Sequence, residues 1–269
     1  MPCSFYKDKI ITQNGGPMKH ISYSELKTWA ECPYKRKLSY QDRVKKFVGN
    51  QFTAFGKALH FLCEHLVFDR VDDPEDFFNL AFEKELVLIG KEENDLITEM
   101  REQAKQIHPL IMPQLVQNFG EFEVFSVEEK LYEDITDSDT GYKFKGFIDL
   151  VIKTPDGKYH VIDWKTCSWG WDAKKRSDKY ITYQLTLYKK FFCEKHNIDS
   201  KLVETHFALL KRTAKKDNVE IFRVTSGPRK VENATKLLTT ALIHISKQNH
   251  VKDRRSCRGC EYYKTEHCK

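Results

Sequence analysis

Gly146-Phe-Ile-Asp-Leu-Val-Ile-Lys-Thr-Pro-Asp-Gly-Lys-Tyr-His-Val-Ile-Asp-Trp-Lys165 reads as two β-strands folded about a turn. Thr154-Pro-Asp-Gly157 puts proline at the second position of a type I turn and glycine where positive φ is needed, closing a three-residue hairpin loop. With Thr154 opposite Lys158, the register sets Asp149 against Asp163, Val151 against Val161 and Phe147 against Lys165. Ile148, Leu150, Ile152, Ile162 and Trp164 then line the other face with His160, and that face belongs to a core. A two-residue Asp156-Gly157 turn would place the two carboxylates on opposite faces. It would also draw Pro155, which has no N–H, into the ladder.

Directly opposed carboxylates, with Cβ atoms about 5 Å apart, repel one another and weaken a sheet unless a positive charge lies between them. A divalent metal ion meets that need. By spacing alone the pair also fits an exposed polar face. Lys165 changes the weighing: two residues beyond Asp163 on the same face, its ammonium can reach a phosphate, or a water held by a metal on that carboxylate.

The rest of the chain is consistent with a globular enzyme. Its 269 residues, 40% hydrophobic and 13% aromatic, are enough for a sizeable core. No apolar run is long enough to span a bilayer, and Met1-Pro-Cys-Ser-Phe-Tyr-Lys7 lacks the apolar segment of a secretory signal. The expectation is a cytoplasmic protein with no membrane association, in a bacterial, archaeal or phage-infected cell. In such a reducing compartment eight cysteines are thiols or metal ligands rather than disulfides. The net charge of +6 is uneven: residues 71–103 hold eleven acidic residues against Lys84, Lys91 and Arg101, leaving the remainder near +14. Lys35-Arg-Lys37, Lys45-Lys46, Lys174-Lys175-Arg176, Lys211-Arg212, Lys215-Lys216 and Arg254-Arg255 recur beside Tyr and Trp, as on a phosphate-binding surface. The same clusters also fit solvated faces.

Periodicity and capping signals predict one continuous order of elements. Ser22-Tyr-Ser-Glu25 is a capping box opening a helix through Leu26 and Trp29, disturbed at Pro33. Helices follow at 53–67, 75–89 and 94–118, then strands at 122–130, 143–153 and 158–164. A helix at 179–195, strands at 205–210 and 219–224, and a helix at 228–247 complete the chain. The organisation read from this is a single domain over 1–269. It comprises a mainly helical region at 21–120 with an acidic insertion at 71–103, an α/β core at 121–225, and a terminal helix with a cysteine cluster at 226–269.

Three further groupings carry chemistry. Gly56, His60 and Glu64 fall on one helix stripe, where the small residue allows close approach and the imidazole and carboxylate face the same way. Gln184 and Tyr188 lie one turn apart on the helix after the hairpin, with Tyr180 below them. Cys257, Cys260 and Cys268 crowd the C-terminus and Cys32 stands far upstream beside Pro33, a split set that asks for a metal. Cys3, Cys63, Cys167 and Cys193 read as ordinary thiols, with Cys3 the one substitute ligand.

Asp149 followed by Asp163-Trp-Lys165 resembles the PD-(D/E)XK nuclease superfamily, with Ile162 where that name expects proline. The stripe of Gly56, His60 and Glu64 is similar to the G-x-x-x-H-x-x-x-E helix of its RecB-like branch. Gln184 and Tyr188 match the Q-x-x-x-Y helix of RecB-like and AddB-like nucleases. The split cysteines resemble those holding a [4Fe-4S] cluster in the AddB nuclease domain and in CRISPR-adaptation nucleases. The resemblance runs from about Ile21 to Cys268 and implies a mixed central sheet flanked by helices, with an N-terminal helical region.

It further implies that His60, Asp149, Asp163 and the Trp164 carbonyl bind Mg²⁺ or Mn²⁺ while Lys165 assists, with Glu64 beside them. Gln184, Tyr188, Lys174, Lys175, Arg176, Lys211 and Arg212 would contact DNA. Four thiolates suit an iron–sulfur cluster, and structural zinc is the alternative, with His267 offering a nitrogen ligand. The expected activity is a metal-dependent exonuclease acting on DNA ends or single strands, in recombination, repair or phage DNA processing. A structure-specific endonuclease, or a non-catalytic DNA-binding iron–sulfur subunit, is the alternative. The chain has no G-x-x-x-x-G-K-[ST] phosphate loop, so a helicase or recombination partner would be a separate chain. The oligomeric state is left open.

Overall fold

The computed structural model describes residues 19–44 and 49–269. Cys3, the N-terminal heptapeptide and the Lys45-Lys46 pair lie outside the described residues. In chain order the elements are β1 (His20–Ser22), α1 (Tyr23–Glu31), α2 (Pro33–Arg36), α3 (Gln51–Leu66), α4 (Pro74–Leu88), α5 (Asp95–Phe119), β2 (Glu123–Asp134), β3 (Lys143–Lys153), β4 (Tyr159–Cys167), α6 (Ala173–Ser177), α7 (Lys179–His196), β5 (Val203–Lys211), β6 (Val219–Val224) and α8 (Pro228–Ser246). Among the described residues no helix is long and apolar enough to cross a membrane. The described residues form two compact units, one of residues 19–43, 132–146 and 235–269, the other of residues 44, 49–131 and 147–234.

In the second unit the sheet runs in the order β3-β4-β5-β6, and β2 also pairs with β3. β3 and β4 are antiparallel, as a tight hairpin requires. β4 and β5 are parallel, which demands a long crossover, and α6 with α7 supplies it. Every position of β5 except Glu204 is buried because the strand is covered on both faces. α3, α4 and α5 cover the face that carries Leu150, Ile152, Ile162 and Trp164, and α7 packs against β4 and β5.

The helices begin where polar side chains satisfy their first N–H groups. Asn50 and Thr53 form a reciprocal capping box for α3, and Asp73 caps α4 ahead of Pro74. The acidic segment 71–103 folds into α4 and the first part of α5. It turns Phe78, Phe82, Leu86, Ile97 and Met100 inward, with Phe78 and Phe82 edge-on to Phe55. Some of its carboxylates lie in ion pairs, Glu85 with Lys57, Glu75 with Lys105 and Glu93 with Arg101.

In the first unit, β1 pairs in parallel with Lys143–Lys145 at the start of β3. Ser22 accepts the Glu25 N–H and opens α1. Pro33 ends that helix at Cys32, which then caps α2 through its sulfur. Arg36 and Glu25 form a buried ion pair. Tyr34 N–H donates to the Val251 carbonyl, and Ser256 Oγ donates to the Glu31 carbonyl at 2.6 Å. These bonds bring the C-terminal segment alongside Cys32.

Candidate active site

The hairpin turn places the two aspartates. Gly157 takes φ +81°, its N–H donates to the Thr154 carbonyl at 2.9 Å, and the Thr154 N–H donates to the Lys158 carbonyl at 3.0 Å. The pairs Lys153–Tyr159, Ile152–His160, Val151–Val161 and Leu150–Ile162 follow the register expected from Thr-Pro-Asp-Gly. Past Leu150 the Trp164 N–H donates to Asp149 Oδ2 at 2.7 Å, so that carboxylate is held by backbone of the facing strand.

Asp163, 1% exposed, is the most confined group. Its Oδ1 accepts from Gln184 Nε2 at 2.9 Å, and Lys165 Nζ lies 2.6 Å from Oδ2. The ammonium and Oδ2 form a close ion pair, so the Asp163 carboxylate meets one ammonium and one amide. His60, on α3, brings Nδ1 to 3.7 Å from Asp149 Oδ2 and also bonds the Trp164 backbone. Gly56 permits this approach, since a Cβ there would lie 3.2 Å from Thr166 Oγ1 of β4.

The electrostatics follow from crowding several carboxylates around a single ammonium. Burial raises Asp149 to about 7, opposed by Lys165 and the Trp164 N–H and reinforced by Glu128. Burial likewise raises Asp163 to about 6, opposed by Lys165 and reinforced by Asp149. Glu64 rises to about 7 through burial and then the charges of Glu128 and Asp149. Burial works against the Lys165 ammonium, but Asp163 and Asp149 outweigh it and hold its pKa above the usual lysine value. His60 is lowered to about 4 by burial, with Asp163 opposing and Lys165 adding to the shift, so near neutral pH its ring offers a lone pair. Several carboxylates around one ammonium, with a neutral imidazole beside them, form a donor set that fits a divalent cation.

Glu128 was not found from sequence. It lies on β2 with φ +46°, an uncommon conformation for a residue with a side chain, and it couples electrostatically to Asp163 and Glu64. It is surface-accessible, yet the protein atoms packed around it and the Asp163 charge push its carboxyl above the usual range. One glutamate in Val127-Glu-Glu-Lys130 carries no spacing signal, so nothing in the sequence marks it.

Several of the side chains expected to contact DNA have partners within the chain. Tyr188 is 6% exposed, and Gln184 points its amide at Asp163 with Tyr188 Oη 3.2 Å from the same nitrogen. In this arrangement the Gln184 amide links Asp163 to Tyr188. Lys211, 7% exposed, pairs with Glu220 at 3.3 Å, and Arg176 donates to the same glutamate at 2.6 Å. Arg212 lies over the Phe52 ring and donates to Gln103. Lys174 and Lys175 are exposed, Lys175 lying over the Trp171 ring, and Trp169 is exposed nearby in sequence.

Cys32 and the three C-terminal cysteines lie in the first unit. Cys32, Cys257, Cys260 and Cys268 line a cavity of about 330 Å³ with Tyr34, Lys35 and Leu38. Cys32 Sγ accepts N–H groups from Lys35 at 3.5 Å and Asp253 at 3.4 Å, as sulfur ligands of metal centres commonly do. Cys63, Cys167 and Cys193 are free thiols elsewhere.

A sequence profile of the PD-(D/E)XK nuclease superfamily matches residues 20–265. A search of curated proteins finds no match by sequence. Among solved structures, a candidate exonuclease from Eubacterium rectale is similar over 92% of this chain and 89% of its own, with a TM-score of 0.58 at 13% identity. The protein SSO0001 aligns over 89% of this chain and 93% of its own at 17% identity and a TM-score of 0.37. At such identities the first likeness speaks for the fold, a central mixed sheet flanked by helices.

Proposed function

The chain belongs to the PD-(D/E)XK nuclease superfamily, a hydrolase acting on nucleic acid, and on that premise we propose that it is a Mg²⁺- or Mn²⁺-dependent deoxyribonuclease of the RecB/AddB-like branch. Its proposed substrate is a DNA end or single strand, which it digests as an exonuclease. The observation that carries this reading is the gathering of Asp149, Asp163 and a neutral His60 around the single ammonium of Lys165. A bound divalent ion would polarise the scissile phosphate and lower the pKa of a water.

His60, Asp149, Asp163 and the Trp164 carbonyl would hold that ion. Gln184 fixes Asp163 through Oδ1 and so turns Oδ2 toward Lys165. Lys165 stands beside that oxygen, where its charge can meet a non-bridging phosphate oxygen and orient the attacking water. Glu64, whose carboxyl titrates near neutrality, can hold or release a proton there. Lys174 and Lys175 would steer the backbone of the strand by charge. The four cysteines would hold a [4Fe-4S] cluster with a structural role, supported by their common cavity and the N–H donors to Cys32.

The test of exonuclease action compares linear single-stranded DNA with a covalently closed circle of the same sequence. The purified protein is assayed with Mg²⁺, with Mn²⁺ and with chelator. Progressive loss of the linear substrate that requires the cation, with the circle spared, is the expected result. Equal cutting of the circle would replace the exonuclease with an endonuclease, and cutting in chelator would remove the metal-dependent mechanism.

A further inference from the structure

We propose that His160, Glu204 and His206 form a second metal site, separate from the nuclease centre and selective for zinc-like transition ions over Mg²⁺. The parallel pairing of β4 with β5 sets His160 opposite Glu204 and Ile162 opposite His206. The three side chains therefore share one face, the one opposite to Asp163 on β4. His160 Nδ1 is 3.1 Å from His206 Nε2, Glu204 Oε2 is 4.0 Å from that same nitrogen, and all three ligand atoms lie within 4.8 Å of one another. Ligands at about 2.1 Å from a tetrahedral zinc ion stand roughly 3.4 Å apart, so a small inward movement of Glu204 completes the set.

The surroundings orient these atoms toward a common point. Thr154 Oγ1 touches Asp156 Oδ1, the Lys158 carbonyl and His160 Nε2. The carboxylate and the carbonyl only accept, so the hydroxyl donates to one of them and accepts from His160 Nε2–H. His160 thus carries its proton on Nε2 and presents a lone pair on Nδ1, as second-shell partners commonly arrange for a metal-bound histidine. In the ion-free pair His206 Nε2–H donates to that lone pair; on binding an ion this proton would move to Nδ1 of the same ring, freeing the Nε2 lone pair. Arg223 holds the other oxygen of Glu204 at 3.3 Å, leaving Oε2 on the histidine side.

Both imidazoles are buried, and Phe119 at the end of α5 lies against both, with ring centroids 4.8 and 5.0 Å away. A mutual hydrogen bond between two neutral histidines explains their contact. It does not explain a carboxylate aimed at the same point. Two nitrogens and one oxygen suit Zn²⁺, Co²⁺ or Ni²⁺, whereas Mg²⁺ prefers an all-oxygen shell. The ion would tie β4 to β5 beneath the end of α5, and its role is stability.

The test uses the full chain with reduced thiols, stripped with chelator and titrated with Zn²⁺ while bound ion is counted and Tm is followed. Wild type is expected to bind one ion more than His206→Gln or Glu204→Gln, and to gain more Tm from zinc than either. With Co²⁺ the missing ion should carry visible d–d bands without the near-ultraviolet thiolate band, which separates it from the cysteine site. Millimolar Mg²⁺ should not displace it, which separates it from the nuclease centre. Glu204→Gln retains the histidine pair and its volume, so it decides the matter if His206→Gln fails to fold. Equal zinc stoichiometry and equal Tm gain in wild type and Glu204→Gln would overturn the proposal.

Discussion

At Asp163 a carboxylate is buried beside another carboxylate, and the protein offers it one ammonium and one amide. Asp149 and Asp163 therefore keep their protons to about 7 and about 6 in the metal-free fold, while in the unfolded chain they release them near the ordinary aspartate value of 3.8. Between those limits the folded state binds more protons than the unfolded state, so metal-free stability falls as pH rises through the window from about 4 to about 7. A divalent cation held by these carboxylates would bind their ionised form and reverse the trend. Calorimetric unfolding should show a lower Tm at pH 8 than at pH 5 without cation, and a larger rise on adding Mn²⁺ at pH 8. A Mn²⁺-induced rise that is equal at both values would show that these carboxylates do not hold the ion. Asp149, Asp163 and Lys165 were legible in the sequence because they sit on one short hairpin. Glu128 and the grouping of Glu204 with His160 were not, because each depends on strands that pair only after the chain has returned.

The β3–β4 hairpin is the element on which the site depends, and its turn chemistry was enough to set the register before any contact was known. Gly157 has positive φ, and no atom lies within 4 Å of where its Cβ would stand. Gly157→Ala should therefore cost only the conformational penalty, about 1 kcal/mol, read from denaturant unfolding, with cleavage unchanged. A loss several times larger would mean that the turn carries packing as well as geometry. α3 was legible for a related reason, since Gly56, His60 and Glu64 recur at helical spacing. The basic clusters were not legible. Lys211, Arg176 and Arg212 look like surface charge in one dimension, yet Glu220, Gln103 and Phe52 meet them from distant positions. Composition records how many cations a chain has and not which of them are already paired.

On the scale of the whole molecule, the chain forms two units. The first holds Cys32, Cys257, Cys260 and Cys268, and the second holds the residues of the proposed nuclease centre. If the cysteines hold a cluster that ties the terminal segments, Cys257→Ser should expose residues of the first unit to limited proteolysis, with early cleavage near the C-terminus. Unchanged protection of that segment would count against a structural cluster. Visible absorption and iron content of anaerobically purified protein distinguish iron–sulfur from zinc at the same thiolates, and neither outcome alters the nuclease reading. The most direct test of that reading is the rate of Mg²⁺- or Mn²⁺-dependent DNA cleavage by wild type, Asp163→Asn and Lys165→Ala, with DNA binding measured in parallel. Both variants should bind DNA nearly as wild type does and lose cleavage by about a hundredfold or more; cleavage at the wild-type rate by either folded variant would contradict the account.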